Sequence, residues 1–345
     1  MKNIVMCFDR AQQSTPRPAT NAAAVFRLAE NSPQQLTWYD PGTAPHRRST
    51  AVEAARATVA DAYDFLRESW SPGDAIFVFG AGRGAVRARE LAGLLGAIGI
   101  WPGRGDAVLD HLLTTCVLPR TVRSDDDWRR VGRIAAALTD RDDAAVPVRF
   151  LGLWDAVGLP GVDRAGRGGL TNVEHGRHAM AIDGASLTNP VGAARVEEVW
   201  FRGAHGDVAG TAGACLPLAD IALDWVLDGA VREGLRLRAD CRLPSPTEHD
   251  ALAASSHHTL SLRRVPDGAA VHASVELYLR ARPRYWRRLP ARIEWADRDW
   301  LARSERLVPS ERPNEHLGTK VREEFGKTSI STTPARALER ATASR

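Results

Sequence analysis

Asp74-Ala-Ile-Phe-Val-Phe-Gly-Ala-Gly-Arg-Gly-Ala85 runs a short apolar segment straight into a cluster of glycines. Ala75 to Phe79 is rich in β-formers and meets no polar break before Gly80, which predicts a buried strand. Beyond Gly84, small and aliphatic residues recur at Ala88, Leu91, Ala92, Leu95 and Ile98, the spacing of a helix with one apolar face. The rest of the chain repeats this alternation. Ile4 to Phe8, Leu36 to Tyr39, Val148 to Trp154 and Val196 to Phe201 read as strands. Ala51 to Trp70, Ala107 to Thr114, Trp128 to Leu138 and an amphipathic Leu218 to Val231 read as helices. Thr259 to Arg263 and Val271 to Leu279 are read as further strands or part of a cap. Strands alternating with helices imply a mostly parallel sheet with helices on both faces.

At 345 residues the chain can bury a sizeable core, and its net charge of +4 is too mild to require a nucleic-acid partner. Cys7, Cys116, Cys215 and Cys241 are far apart and form no CxxC pair, so free thiols in a reducing compartment are expected, not a zinc site. His175 and His178 are three apart, on what reads as a helix turn, and His257 and His258 are adjacent. Neither pair has cysteine or carboxylate at ligand spacing, so they are taken as surface histidines; no metal and no cofactor is expected. Met1 to Phe8 reads as a first strand and not a signal peptide, and no segment approaches the roughly 18 apolar residues of a membrane span. Cytoplasmic synthesis is expected, with export lacking a signal peptide left open. The expected domains are a body over 1–303, with a cap-like helical insertion at about 100–147, and a polar tail over 304–345.

In open α/β sheets, function collects at the C-terminal ends of strands. Gly82, Asp155 and His205 stand at three such ends, in the nucleophile, acid, histidine order of α/β-hydrolases. In that scheme Asp155 orients the His205 imidazole, which takes a proton from a serine hydroxyl on a strained strand-to-helix turn. Here the five positions of the G-x-S-x-G turn read Gly80-Ala-Gly-Arg-Gly84, with glycine at the nucleophile position.

Three blocks carry a resemblance to a known family. Ser71 to Gly93 resembles its elbow block, Leu151-Gly-Leu-Trp-Asp-Ala-Val-Gly158 its aspartate block, and Trp200-Phe-Arg-Gly-Ala-His-Gly-Asp-Val-Ala-Gly210 its histidine block. Thr20-Asn21, Tyr39-Asp-Pro-Gly-Thr43 and His178-Ala-Met-Ala-Ile-Asp183 are smaller echoes. The family is the α/β-hydrolase group that contains phospholipase effectors of type VI secretion and many uncharacterised bacterial proteins. The resemblance runs from about residue 3 to about 280 and implies an α/β-hydrolase fold with a helical cap and a C-terminal extension. It also implies a lipase- or esterase-like site at Asp155 and His205, with the Arg83 amide as an oxyanion donor and Arg10 beside it.

Departures from the family pattern fall at the chemistry. Its serine is Gly82, its Asp-Gly-Thr after the first strand is Asp9-Arg10-Ala11, and its Asp-Val-Gly-Gly is Asp207-Val-Ala-Gly210. Removing a triad serine lowers kcat about a million-fold, and losing an oxyanion donor a further factor of about 10² to 10³. An inactive descendant that binds a lipid or acyl-type small molecule is therefore expected. Three alternatives stand beside it. His205 and Asp155 could act as a base without a covalent intermediate. Cys7, Ser14 or Thr15 could replace the nucleophile. Gly80-x-Gly82-x-x-Ala85 also fits the dinucleotide fingerprint, although no strand ending in an acid follows about 20 residues on. Finally, Arg280-Ala-Arg-Pro-Arg-Tyr-Trp-Arg-Arg288 is the densest charge run, read as a solvated edge or as a contact for an anionic membrane surface.

Overall fold

The computed structural model describes residues 1–10, 20–42, 48–101, 107–119, 124–158, 170–184, 190–211, 213–256 and 263–302. Contacts gather Met1–Val308 into one compact unit; the second unit, Pro309–Arg345, lies outside the described residues, as does the whole expected tail over 304–345. The elements are β1 (Asn3–Phe8), α1 (Asn21–Leu28), β2 (Gln35–Asp40), α2 (Arg48–Ser69), β3 (Ala75–Ala81), α3 (Arg83–Ile98), α4 (Ala107–Cys116) and α5 (Asp125–Thr139). There follow β4 (Val148–Trp154), β5 (Val173–Ala181), β6 (Val196–Phe201), α6 (His205–Ala209), α7 (Leu216–Arg232), α8 (Glu248–Leu252), β7 (Ala269–His272), α9 (Ser274–Ala281) and β8 (Ile293–Ala296). Among the described residues eight strands pair in parallel, in the order β2-β1-β3-β4-β5-β6-β7-β8.

The two-residue period of the strands sorts the core into two layers. Ile4, Met6, Phe8, Ile76 and Val78 face α2 and α3; Val5, Cys7, Phe77 and Phe79 face α1 and α7. Fully burying one such side chain contributes about 1.5–3 kcal/mol, so both layers help to fix the register. The helices α4 and α5 extend the first layer. Arg56 of α2 donates to the carbonyls of Val117 and Leu118, and Glu90 of α3 accepts the Leu118 amide.

Strand order reverses between β1 and β3, because the chain moves outward to β2 and then back past β1. A crevice opens at such a switch point. Gly82 stands there, at the top of β3.

Three sequence expectations change. His175 and His178 lie on β5 and not on a helix turn, so three residues put them on opposite faces: His175 is exposed and His178 wholly buried. Val271 to Leu279 divides into the end of β7 and α9. The helix read as amphipathic, α7, is buried from Leu218 through Ala230 except at the exposed Asp220, since it packs between the sheet and α1, α6 and α8. Ser14, Thr15, His257, His258 and positions 259–262 lie outside the described residues.

Candidate active site

The turn after β3 shows why its glycines differ. A Cβ at Gly84 would meet the Phe8 carbonyl oxygen at 2.2 Å, and one at Gly80 the Ala85 Cα at 2.6 Å. Both glycines let α3 start hard against β1 and β3. Gly82 is there for another reason. Its φ of 56° and ψ of −115° lie where side chains are strained, but the nearest atoms to a Cβ are the Cε1 and Nε2 of His205, both at 3.0 Å. Its amide donates to the Trp154 carbonyl at 2.9 Å, which ties the turn to the end of β4.

Asp155 follows β4 with a positive φ of 44° and is wholly buried. Its Oδ2 accepts from His205 Nδ1 at 2.7 Å, and its Oδ1 from the Ala181 amide at 2.9 Å. The remaining partner is Arg263, whose two terminal nitrogens donate to Oδ1 at 2.6 Å and to Oδ2 at 2.8 Å. Burial alone would raise the Asp155 carboxyl, but the hydrogen bond from His205 and the Arg263 guanidinium hold it well below the usual carboxylate range.

His205 opens α6, a single short turn after β6, and its side chain is 19% exposed. With Nδ1–H donating to Asp155, Nε2 is the ring nitrogen that faces the position above Gly82. It can take a proton from a group bound there.

The two arginines of the expected oxyanion site differ. Arg83 opens α3, whose first amides have no intrahelical partner. The Arg10 amide is already engaged, because the buried Asp9 carboxylate turns back and accepts it at 2.6 Å. Asp9 also accepts from the Tyr39 hydroxyl at 2.6 Å. Burial, with the Arg83 guanidinium nearby, pulls the Arg10 guanidinium below its ordinary value. Two arginine side chains thus stand near each other beside the turn.

The smaller sequence echoes serve as supports. Thr20 caps α1, and Asn21 donates to the carbonyls of Val208 at 2.9 Å and Ala219 at 3.1 Å, fastening α1 to α6 and α7. Arg87 of α3 pairs with Asp40 at 3.1 Å and donates to the Asp9 carbonyl. The supposed surface histidine His178 accepts the Ala156 amide at 3.1 Å and faces Glu198 at 3.1 Å, bracing the residue beside Asp155.

Two features escaped the sequence. Arg263 is 108 residues from Asp155, in a loop without a motif. His272, Ser274 and Asp297 also form a Ser-His-Asp grouping, with contacts of 2.8 Å and 3.0 Å. Its Nδ1 is shared with the Ser274 amide at 3.2 Å, and its ring is buried and stacked on Phe201 at 4.5 Å. That grouping ties the start of α9 to the end of β8. Cys7 is equally remote from solvent; burial pushes its thiol far up, away from the thiolate a nucleophile needs. Among the described residues no cluster of potential metal ligands occurs. An open groove of about 1010 Å³ runs between α3 and α5, past Gly96, Trp128 and Asn172, and none of the residues at Gly82, Asp155 or His205 lines it.

A parallel sheet with a glycine turn, an acid and a histidine after β3, β4 and β6 defines an α/β-hydrolase-type domain. A family model for the catalytic domain of Tle1-like phospholipase effectors of type VI secretion (T6SS) matches residues 2–229, and the chain belongs to that family. It is similar to the uncharacterized protein YEL023C of Saccharomyces cerevisiae, 27% identical over an alignment of 211 residues that covers 53% of this chain. The chain spans 31% of that curated relative's length. Among solved structures it is similar to the Tle1 effector bound to the VgrG spike of the type VI secretion system, with 15% identity and a TM-score of 0.38 over 62% of this chain and 51% of that one. An uncharacterized protein from Pseudomonas aeruginosa gives 15% identity and a TM-score of 0.39 over 69% and 46%.

Proposed function

We propose that this domain keeps the acyl site of a lipase-like α/β-hydrolase without its nucleophile, and binds a lipid or acyl-type molecule that it does not cleave by a serine mechanism. The observation that carries this reading is at Gly82. The backbone holds a nucleophile's strained turn, and His205 Nε2 lies 3.0 Å from where a Cβ would stand, yet glycine has no atom to attack with. Asp155 and His205 are the retained acid and base, the Arg83 amide the remaining oxyanion donor, and Arg10 a lost one. The Arg10 and Arg83 side chains near the turn suit a ligand with an anionic head. We take residues 1–303 as the functional body, with the insertion at about 100–147, and cytoplasmic synthesis fits four free cysteines.

One observation favours base catalysis as a second reading: His205 Nε2 is open while Asp155 is held charged. The dinucleotide reading is not favoured, because Asp155, the acid ending the next strand after α3, has both oxygens on His205 and Arg263. Short-chain nitrophenyl esters test the proposal. Turnover by the purified protein should be indistinguishable from buffer, whereas hydrolysis abolished by His205→Ala would establish an active base and overturn it.

A further inference from the structure

We infer that the 3₁₀-helix Pro283–Arg288 is a docking element for an anionic phospholipid bilayer, placed to bring the strand-end crevice to the membrane. Residues 280–288 hold five arginines and no acidic residue. Arg280 pairs with Glu276 at 2.8 Å, and Arg288 lies 3.5 Å from Asp183. Arg282, Arg284 and Arg287 are exposed and have no carboxylate partner among the described residues. These three exposed cations stand together on one short turn.

The turn sorts its two aromatics. Tyr285 points inward, donating its hydroxyl to Asp183 at 2.7 Å and meeting Tyr278 edge-on at 5.3 Å. Trp286 stays 47% exposed, its ring edge-on to Trp295 at 6.4 Å, and Trp295, Leu289 and Ile293 in turn pack against a small buried cluster. An exposed tryptophan on a firm apolar footing, among free arginines, matches the layered chemistry of a headgroup region. A single-stranded nucleic acid would instead call for several exposed aromatics to stack its bases.

Placement carries the inference further. Asp183, held by Tyr285, also donates its amide to Gly203, two residues before His205. Ala181, at the end of β5, donates its amide to Asp155. The turn is thus fixed at the same end of the sheet as the crevice. Docking of this element rests on the lipid reading for its purpose only, since none of its residues touches Gly82, Asp155 or His205.

Co-sedimentation of the full chain with phosphatidylcholine vesicles, with and without phosphatidylglycerol, tests the inference. Binding is expected to the anionic vesicles and to weaken with salt. Each arginine near the surface strengthens binding about fivefold, so Arg282→Gln, Arg284→Gln and Arg287→Gln together should weaken it about a hundredfold. Trp286→Ala should weaken it independently in the otherwise intact chain, and Arg129→Gln, at an exposed arginine of α5, should leave it unchanged. Vesicle binding reads this surface and ester turnover reads the acyl site, so the two failures are distinct. Equal binding to neutral vesicles, equal binding by the triple variant, or tighter binding to an RNA oligonucleotide than to anionic vesicles would overturn it.

Discussion

Asp155 holds two different partners, and their removal has different consequences. Arg263 is buried with it, so Asp155→Asn strands a guanidinium in the core and should cost about 3–5 kcal/mol near neutral pH. The pH dependence follows from the lowered carboxyl. Its contribution is complete above the ordinary range near about pH 4 and is lost as acid titrates the native group. Denaturant melts of wild type and Asp155→Asn should therefore differ fully at neutral pH and converge in strong acid. His205→Ala leaves Asp155 its bonds to Arg263 and Ala181, so it should cost about 1 kcal/mol or less. A cost for His205→Ala as large as that for Asp155→Asn would mark the histidine as a structural buttress. By this account His205 is kept for its place in the crevice.

At the scale of elements, the turn from β3 to α3 was legible because hydrophobic period and glycine spacing report backbone directly. The same stretch did not reveal which glycine was steric. Gly84→Ala would drive a methyl into the Phe8 carbonyl and push α3 off β1, a loss of about 1–3 kcal/mol or more by thermal unfolding. An unchanged melting temperature would mean that α3 is free to shift. Strand-end residues Asp155 and His205 were also legible, since each closes an apolar run. Their supports were not. Arg263 reaches Asp155 from a loop, and an arginine without a motif carries no address in a single sequence. His178 was misplaced for a simpler reason: spacing of three fits a helix turn, and only pairing to β4 and β6 shows that the segment is a strand. The Arg10 amide fell to Asp9 through a local fold-back that no pattern announces.

For the whole molecule, the parallel sheet and its switch point bring Gly82, Asp155 and His205 together at one set of strand ends, and our proposal is that Gly82 stands where a hydrolase carries its nucleophile. Placing a side chain there has opposing effects. Gly82→Ser must adopt a strained backbone and move the His205 ring by a few tenths of an ångström, which should lower stability by about 1–3 kcal/mol. It would also set a hydroxyl beside Nε2. With the Arg10 amide engaged, one oxyanion donor remains missing, so reaction should be slower by about 10² to 10³ than at a complete site. The most direct measurement is labelling by a fluorophosphonate probe, read by peptide mass. The account predicts no label on the wild-type chain, Ser274 included. It predicts slow labelling at position 82 in Gly82→Ser, abolished when His205→Ala is added. A labelled wild-type chain, or a Gly82→Ser variant that folds and stays unlabelled at long exposure, would contradict it.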